Sequence, residues 1–112
     1  MGRRVEKVAA LLKREISVLI EQAIPPEVGM VTLTHVEVTP DFKNAKVFIS
    51  VFDNSKQKEV LSLLDEKTTG FQSYLGKRLQ IKFTPKLQFV LDHYQEKIDR
   101  LEKILKEIDD GA

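Results

Sequence analysis

Apolar side chains recur at Val5, Val8, Leu12, Ile16, Leu19 and Ala23, the three-and-four spacing that lays one stripe along a helix. A helix is predicted from Arg3 to Ile24, where Pro25-Pro26 ends it. The pattern then changes period. Met30–Thr39 and Ala45–Phe52 are rich in β-branched residues and alternate, with Pro40-Asp41-Phe42-Lys43-Asn44 between them as turn chemistry, so a β-hairpin is expected. In the first strand the apolar phase slips, from Val31 and Leu33 to Val36 and Val38. The two pairs would face opposite sides of a sheet unless a bulge lies near His35. In the second strand Ala45, Val47, Ile49 and Val51 share one face, and Phe48 and Phe52 lie on the other.

Asp53-Asn54-Ser55 can cap a helix whose apolar positions Val60, Leu64, Thr68, Phe71, Leu75 and Leu79 keep helical spacing through Gly70. A helix-interior glycine costs up to about 1 kcal/mol relative to alanine, and Thr68-Thr69 is a weak helix-forming pair. The expectation is two short helices joined by a kink at Thr68–Gly70, both packed on one sheet. Ile81, Phe83, Leu87, Phe89 and Leu91 alternate as a third strand, in which Pro85 demands an edge position or a break in the ladder. The helical crossover favours parallel pairing in a mixed three-stranded sheet. Asp92 with Gln95 can open a last helix striped by Ile98, Leu101, Leu105 and Ile108, expected to pack on the domain's own sheet. The predicted class is α+β, in the order α-β-β-α-α-β-α. Residues 1–108 are expected to form one domain and 109–112 a short tail.

A chain of 112 residues, 42% hydrophobic and 31% charged, suits a single soluble core. The absence of cysteine excludes disulfides, thiolate nucleophiles and cysteine metal sites. No apolar run is long enough to span a membrane, and the amphipathic pattern begins by Val5, which leaves no room for a signal peptide. Met1-Gly2 begins like a myristoylation site, but Glu6 stands where that motif needs Ser or Thr.

The net charge of +1 conceals a segregation. Residues 1–14 hold five bases and one acid, and residues 15–40 four acids and no base. Residues 41–91 hold nine bases and five acids, and residues 92–112 four bases and seven acids. Between Glu66 and Asp92 there is no carboxylate at all. A phosphate-binding surface needs cations without neighbouring acids to compete for them. Lys67, Gln72, Ser73, Lys77, Arg78, Lys82 and Lys86 supply charge and hydrogen-bond donors in that run. Tyr74 can stack on a base or fill half-buried core. A solvated helix face would carry the same residues.

Catalytic chemistry finds little footing. The chain has two histidines, His35 in a strand and His93 at a helix start, and no HExxH spacing. Neither Gly70 nor Gly76 opens a phosphate-cradling loop, and Asp65-Glu66 are adjacent on a helix and point apart. Three readings stay open: an RNA binder, a protein-interaction or dimerisation module using the last helix or Phe48 and Phe52, and a hydrolase using His35 or His93.

VTLTHVEVTPDFKNAKVFISVF followed by TTGFQSYLGKRLQIKFTPKLQFVLD resembles the bacterial ribosome-binding factor A family over nearly the whole chain. The most specific pieces are VEVTPD-x-x-x-AKVF, Gly70-Phe71 with Leu75, and Pro85-x-Leu87-x-Phe89-x-x-Asp92. The resemblance implies a type II KH-like fold in which an interhelical kink of pattern Ala-x-Gly replaces the GxxG loop. Thr68-Thr69-Gly70 stands at that position, with threonine in place of the alanine. It further implies a cytoplasmic, monomeric, non-enzymatic factor that binds the free small (30S) ribosomal subunit and aids maturation of 16S rRNA, including its 5′ end. Such a factor matters most in the cold and leaves before translation. No cofactor, metal, membrane or small-molecule substrate is implied. The expected RNA contacts are Arg3, Arg4, Lys7, Lys67, Thr68, Thr69, Gly70, Gln72, Ser73, Lys77, Arg78, Lys82 and Lys86.

Overall fold

The computed structural model describes residues 2–81 and 84–111, leaving aside the side chains of 94–99 and 109–111. The helix α1 spans Gly2–Ala23 and leads through a short 3-10 turn, Pro26–Val28, into β1 (Val31–Val38) and β2 (Asn44–Val51). A second 3-10 turn, Asn54–Lys56, opens α2 (Gln57–Leu79). After it come β3 (Lys86–Leu91) and α3 (Tyr94–Gly111). The sheet order is β1-β2-β3, antiparallel between the first two and parallel between β2 and β3. The α+β class and the mixed three-stranded sheet are as expected.

The slip of apolar phase in β1 is resolved by a bulge. Val31 and Leu33 pair with Val51 and Ile49, the register then shifts between Leu33 and His35, and Val36 and Val38 pair with Val47 and Ala45. Both apolar pairs thereby face the core, because one extra residue restores the phase that strict alternation would reverse. The extra residue, Thr34, donates its hydroxyl hydrogen bond to Asp92 Oδ2 at 2.6 Å, tying the bulge to the end of β3.

Helices α1 and α2 cover the same face of this sheet. Leu12, Ile16 and Ile20 from α1 and Val60, Leu64, Phe71 and Leu75 from α2 are buried against Val47, Ile49, Leu87 and Phe89. Phe71 and Phe89 meet edge to face, ring centroids 6.1 Å apart.

Three expectations need correction. α2 is one helix, and its run passes unbroken through Thr68, Thr69 and Gly70, so the order of elements is α-β-β-α-β-α. Burial of four large side chains outweighs a glycine penalty of about 1 kcal/mol. Thr68 also spends its hydroxyl on Leu64 O, at 3.0 Å within the helix. The third strand begins after the buried Pro85, at Lys86, since proline offers no N–H to the ladder. Phe83 lies outside the described residues. Finally, the described part of the α3 stripe does not pack on the sheet: Leu101, Ile104, Leu105 and Ile108 are between 47% and 62% exposed, while the Ile98 side chain lies outside the described residues.

Candidate nucleic-acid interface

The burial of Val60, Leu64, Phe71 and Leu75 fixes which way every other residue of α2 points. Thr69, Ser73 and Lys77 fall on the outer face and are exposed. Lys67, Tyr74 and Arg78 fall on the flank nearer α1, where Arg78 Nε lies 3.6 Å from Glu15 Oε1. Gln72 and Gly76 fall on the opposite flank, over β3. Gln72 Oε1 accepts a hydrogen bond from Leu87 N at 3.3 Å, and a Cβ on Gly76 would meet Thr84 Oγ1 at 2.9 Å.

The connectivity gathers cations at one end of the domain. The start of α1, the tip of the β1–β2 hairpin, the end of α2 and the start of β3 converge there. Arg4 places its guanidinium 5.7 Å from the centre of the Phe42 ring at the hairpin tip. Lys86 N donates to Lys43 O at 2.8 Å, joining the start of β3 to the same tip. Arg3 and Lys7 share the first two turns of α1 with Arg4 and are exposed, and Lys77 and Arg78 close α2; the acids of these segments are Glu6 in α1 and Asp41 in the hairpin turn, so the cations outnumber them. Glu21, Glu27, Asp53 and Glu59 belong to the other end, on the last turns of α1, the first 3-10 turn and the start of α2. Thus a chain of net charge +1 carries a basic pole.

The expected contact set is partly assembled by this arrangement. Arg3, Arg4 and Lys7 share the start of α1, Lys77 and Arg78 close α2, and Ser73, Gly70, Thr69 and Lys67 run back along α2 from them. The cationic surface expected to be uninterrupted is crossed by Glu15, which engages Arg78. Gln72 is turned onto β3, and the Thr68 hydroxyl is taken by its own helix. Lys86 is exposed on β3, at the edge of a hollow shared with Asp65 and Glu37. Lys82 lies outside the described residues. One cation that the charge pattern did not single out, Lys43, belongs to the pole, and its position in the hairpin turn was the available signal.

Away from the pole, His35 stacks on Phe48 with ring centroids 4.1 Å apart and planes 8° off parallel. Its ring nitrogens lie 3.5 Å from Glu37 and 3.6 Å from Asp92. Among the described residues no cluster of three or more His, Cys, Asp or Glu is arranged to hold a metal.

A small α+β domain with a basic pole defines a class of candidate polyanion-binding proteins. The family model for ribosome-binding factor A matches residues 4–105. Ribosome-binding factor A of Bdellovibrio bacteriovorus is 39% identical over 114 aligned positions, covering 96% of this chain and 82% of that relative. The protein of that name from Desulforamulus reducens is also 39% identical, over 96% of this chain and 92% of its own length. The crystal structure of ribosome-binding factor A from Thermus thermophilus superposes with a TM-score of 0.69 at 21% identity, over 78% of this chain and 94% of that one. A homology model of the Thermus thermophilus factor, fitted into a cryo-EM map of its complex with the 30S subunit, gives 0.64 at 21% identity, over 75% and 90% of the two chains. The chain belongs to the ribosome-binding factor A family.

Proposed function

We propose that this protein binds the free small ribosomal subunit through its basic pole, contacting the sugar-phosphate backbone of 16S rRNA and favouring the arrangement that allows the rRNA, including its 5′ end, to mature. The observation that supports this reading is the placement of Arg3, Arg4, Lys7, Lys43, Lys77 and Arg78, from two helices and a turn, toward one end of a nearly neutral chain. Family membership and the relative fitted into a 30S complex support the choice of polyanion. The strand, strand, helix, strand order is consistent with a type II KH-like arrangement in which α2 replaces the usual loop-divided helix pair. The protein acts by binding and not by catalysis, as a cytoplasmic monomer, and departs before translation. A binder that favours one RNA arrangement shifts the population toward it. Misfolded RNA helices persist longest when thermal energy is low, so the requirement is greatest in the cold.

Chemical footprinting of small-subunit RNA with and without the protein tests the proposal. Protection of a compact set of backbone positions, lost with Lys77→Glu and Arg78→Glu in a folded protein, is the expected result. An unchanged footprint would refute the assignment.

The exposed stripe of α3 favours a second reading, a protein-interaction module. A solution mass that rises with concentration, or a protein partner whose affinity ignores salt and nuclease, would support it.

A further inference from the structure

We infer that the groove between the first turns of α1 and the tip of the β1–β2 hairpin is a pocket for one unpaired RNA nucleotide, its base stacked on Phe42 and its phosphate held by Arg4 and Lys43. This inference rests on the RNA-binding reading above and adds a site to it. The groove has a volume of about 640 Å³, and its walls include Arg4, Val8, Asp41, Phe42, Lys43 and Pro85. That volume falls in the range of roughly 300–1,000 Å³ typical of small-ligand clefts. An apolar floor with two cations at the rim matches a nucleotide, whose base is flat and weakly polar and whose phosphate is anionic.

The backbone at Phe42 is the second, independent observation. Phe42 has φ 62, in the left-handed region, directly after Pro40-Asp41. A turn of this kind ordinarily carries glycine at that position, because a Cβ there crowds the backbone. A phenylalanine is an expensive turn residue; its ring packs in part against the core and is otherwise open to the groove. Strain of this kind persists where the surroundings enforce it, and it clusters at ligand sites.

The surroundings do enforce it. Asp41 Oδ1 accepts from Thr39 Oγ1 at 2.6 Å and from Lys43 N at 3.0 Å. Phe42 N donates to Thr39 O, and Thr39 N to Asn44 O, each at 2.9 Å. The turn that carries the ring is therefore ordered before any ligand arrives, which lowers the ordering cost of binding. Asp41 is the groove's acid, and these donors hold its carboxyl below the usual range by sharing its charge with the turn. In the free protein the Arg4 guanidinium lies over the ring at 5.7 Å from its centroid, within cation–π reach but leaving room between them. On binding, the base takes that place and the guanidinium turns to the phosphate.

The chain contains no tryptophan, so Phe42→Trp installs a single fluorescent reporter at the proposed stacking surface. Adding a short unstructured RNA oligonucleotide should quench its emission. Phe42→Leu keeps apolar volume but removes the flat ring. It should weaken binding to small subunits about tenfold, as loss of one stacked base does, with the salt dependence unchanged. Phe42→Tyr should restore the affinity, and unfolding midpoints measured alongside separate lost stacking from lost fold. If wild type binds subunits but Phe42→Leu binds equally well, or the tryptophan is not quenched, the pocket is wrong while the broader function stands. If wild type binds neither subunits nor RNA, both fall.

Discussion

Glu15 Oε1 in α1 stands 3.6 Å from Arg78 Nε in α2, so one cation of the basic pole is shared with an acid of its own chain. The Glu15 side chain is 13% exposed and that of Arg78 62%, which leaves the arginine largely in water. Such a pair is worth at most about 1 kcal/mol of stability. Glu15→Gln should therefore cost little in thermal unfolding. Freed of its competitor, Arg78 should engage phosphate more fully, and subunit affinity should rise several-fold. A fall in affinity would mean that Glu15 positions Arg78 for RNA.

Gly70 and Gly76 predict opposite outcomes for the same substitution. Both are helical, but a Cβ at Gly70 meets nothing within 4 Å, whereas one at Gly76 meets Thr84 Oγ1 at 2.9 Å. Gly70→Ala should stabilise the fold by about 0.5–1 kcal/mol, the ordinary gain in a helix interior. If RNA backbone approaches α2 at this point, the same variant should bind subunits less tightly. Gly76→Ala should show no such gain, since the Thr84 side chain must move. Denaturant titrations of the two variants read the contrast directly.

The exposed stripe of α3 makes a plain stability prediction. Leu101→Ser with Leu105→Ser should change unfolding free energy by no more than about 0.5 kcal/mol, as surface substitutions do. Leu75→Ala in the core should cost about 2–5 kcal/mol. A large loss from the α3 pair would place the stripe against a partner surface.

Asp41 and Asp53 set an acid limit on the fold. Hydrogen bonding from Thr39 and the Lys43 N–H lowers the Asp41 pKa, and Ser55, through its hydroxyl and N–H, lowers that of Asp53. A carboxyl whose pKa is depressed in the folded state stabilises it fully above the unfolded value of 3.8 and loses that contribution as pH falls through the lower folded value. Stability should decline with acid over that window. Asp53→Asn keeps an acceptor for the Ser55 N–H but cannot titrate, so its decline should be shallower in a pH series of melts.

Much of this fold was legible because period carries physical information. The slip between Leu33 and Val36 could be reconciled with one buried face only by a bulge, and the bulge is there. Pro85 signalled an edge position or a break in the third strand, and β3, an edge strand, starts only after it, at Lys86, not at Ile81. The break at Thr68–Gly70 was misjudged, since local propensity says nothing of the packing that Phe71 and Leu75 gain by continuing α2. Periodicity also shows that α3 is amphipathic without showing what faces it. On the outer sheet face Phe48 lies between His35 and Val90, and the next row, Glu37, Lys46 and Gln88, is polar, so the apolar bed is only one residue deep. For the site, charge segregation was visible in one dimension. That Gln72 serves Leu87 N, and that Lys43 joins Arg4 at the hairpin tip, depends on contacts between distant segments.

The central claim, that a basic pole neutralises rRNA phosphates, is tested most directly by titrating the protein onto free small subunits at several salt concentrations. If about five phosphates are neutralised, log affinity should fall against log salt with a slope of about −3.5 to −4.5. Lys77→Glu with Arg78→Glu should flatten that slope by about two in a protein that still folds. A wild-type affinity nearly indifferent to salt, or a slope that the double variant leaves intact, would contradict the account.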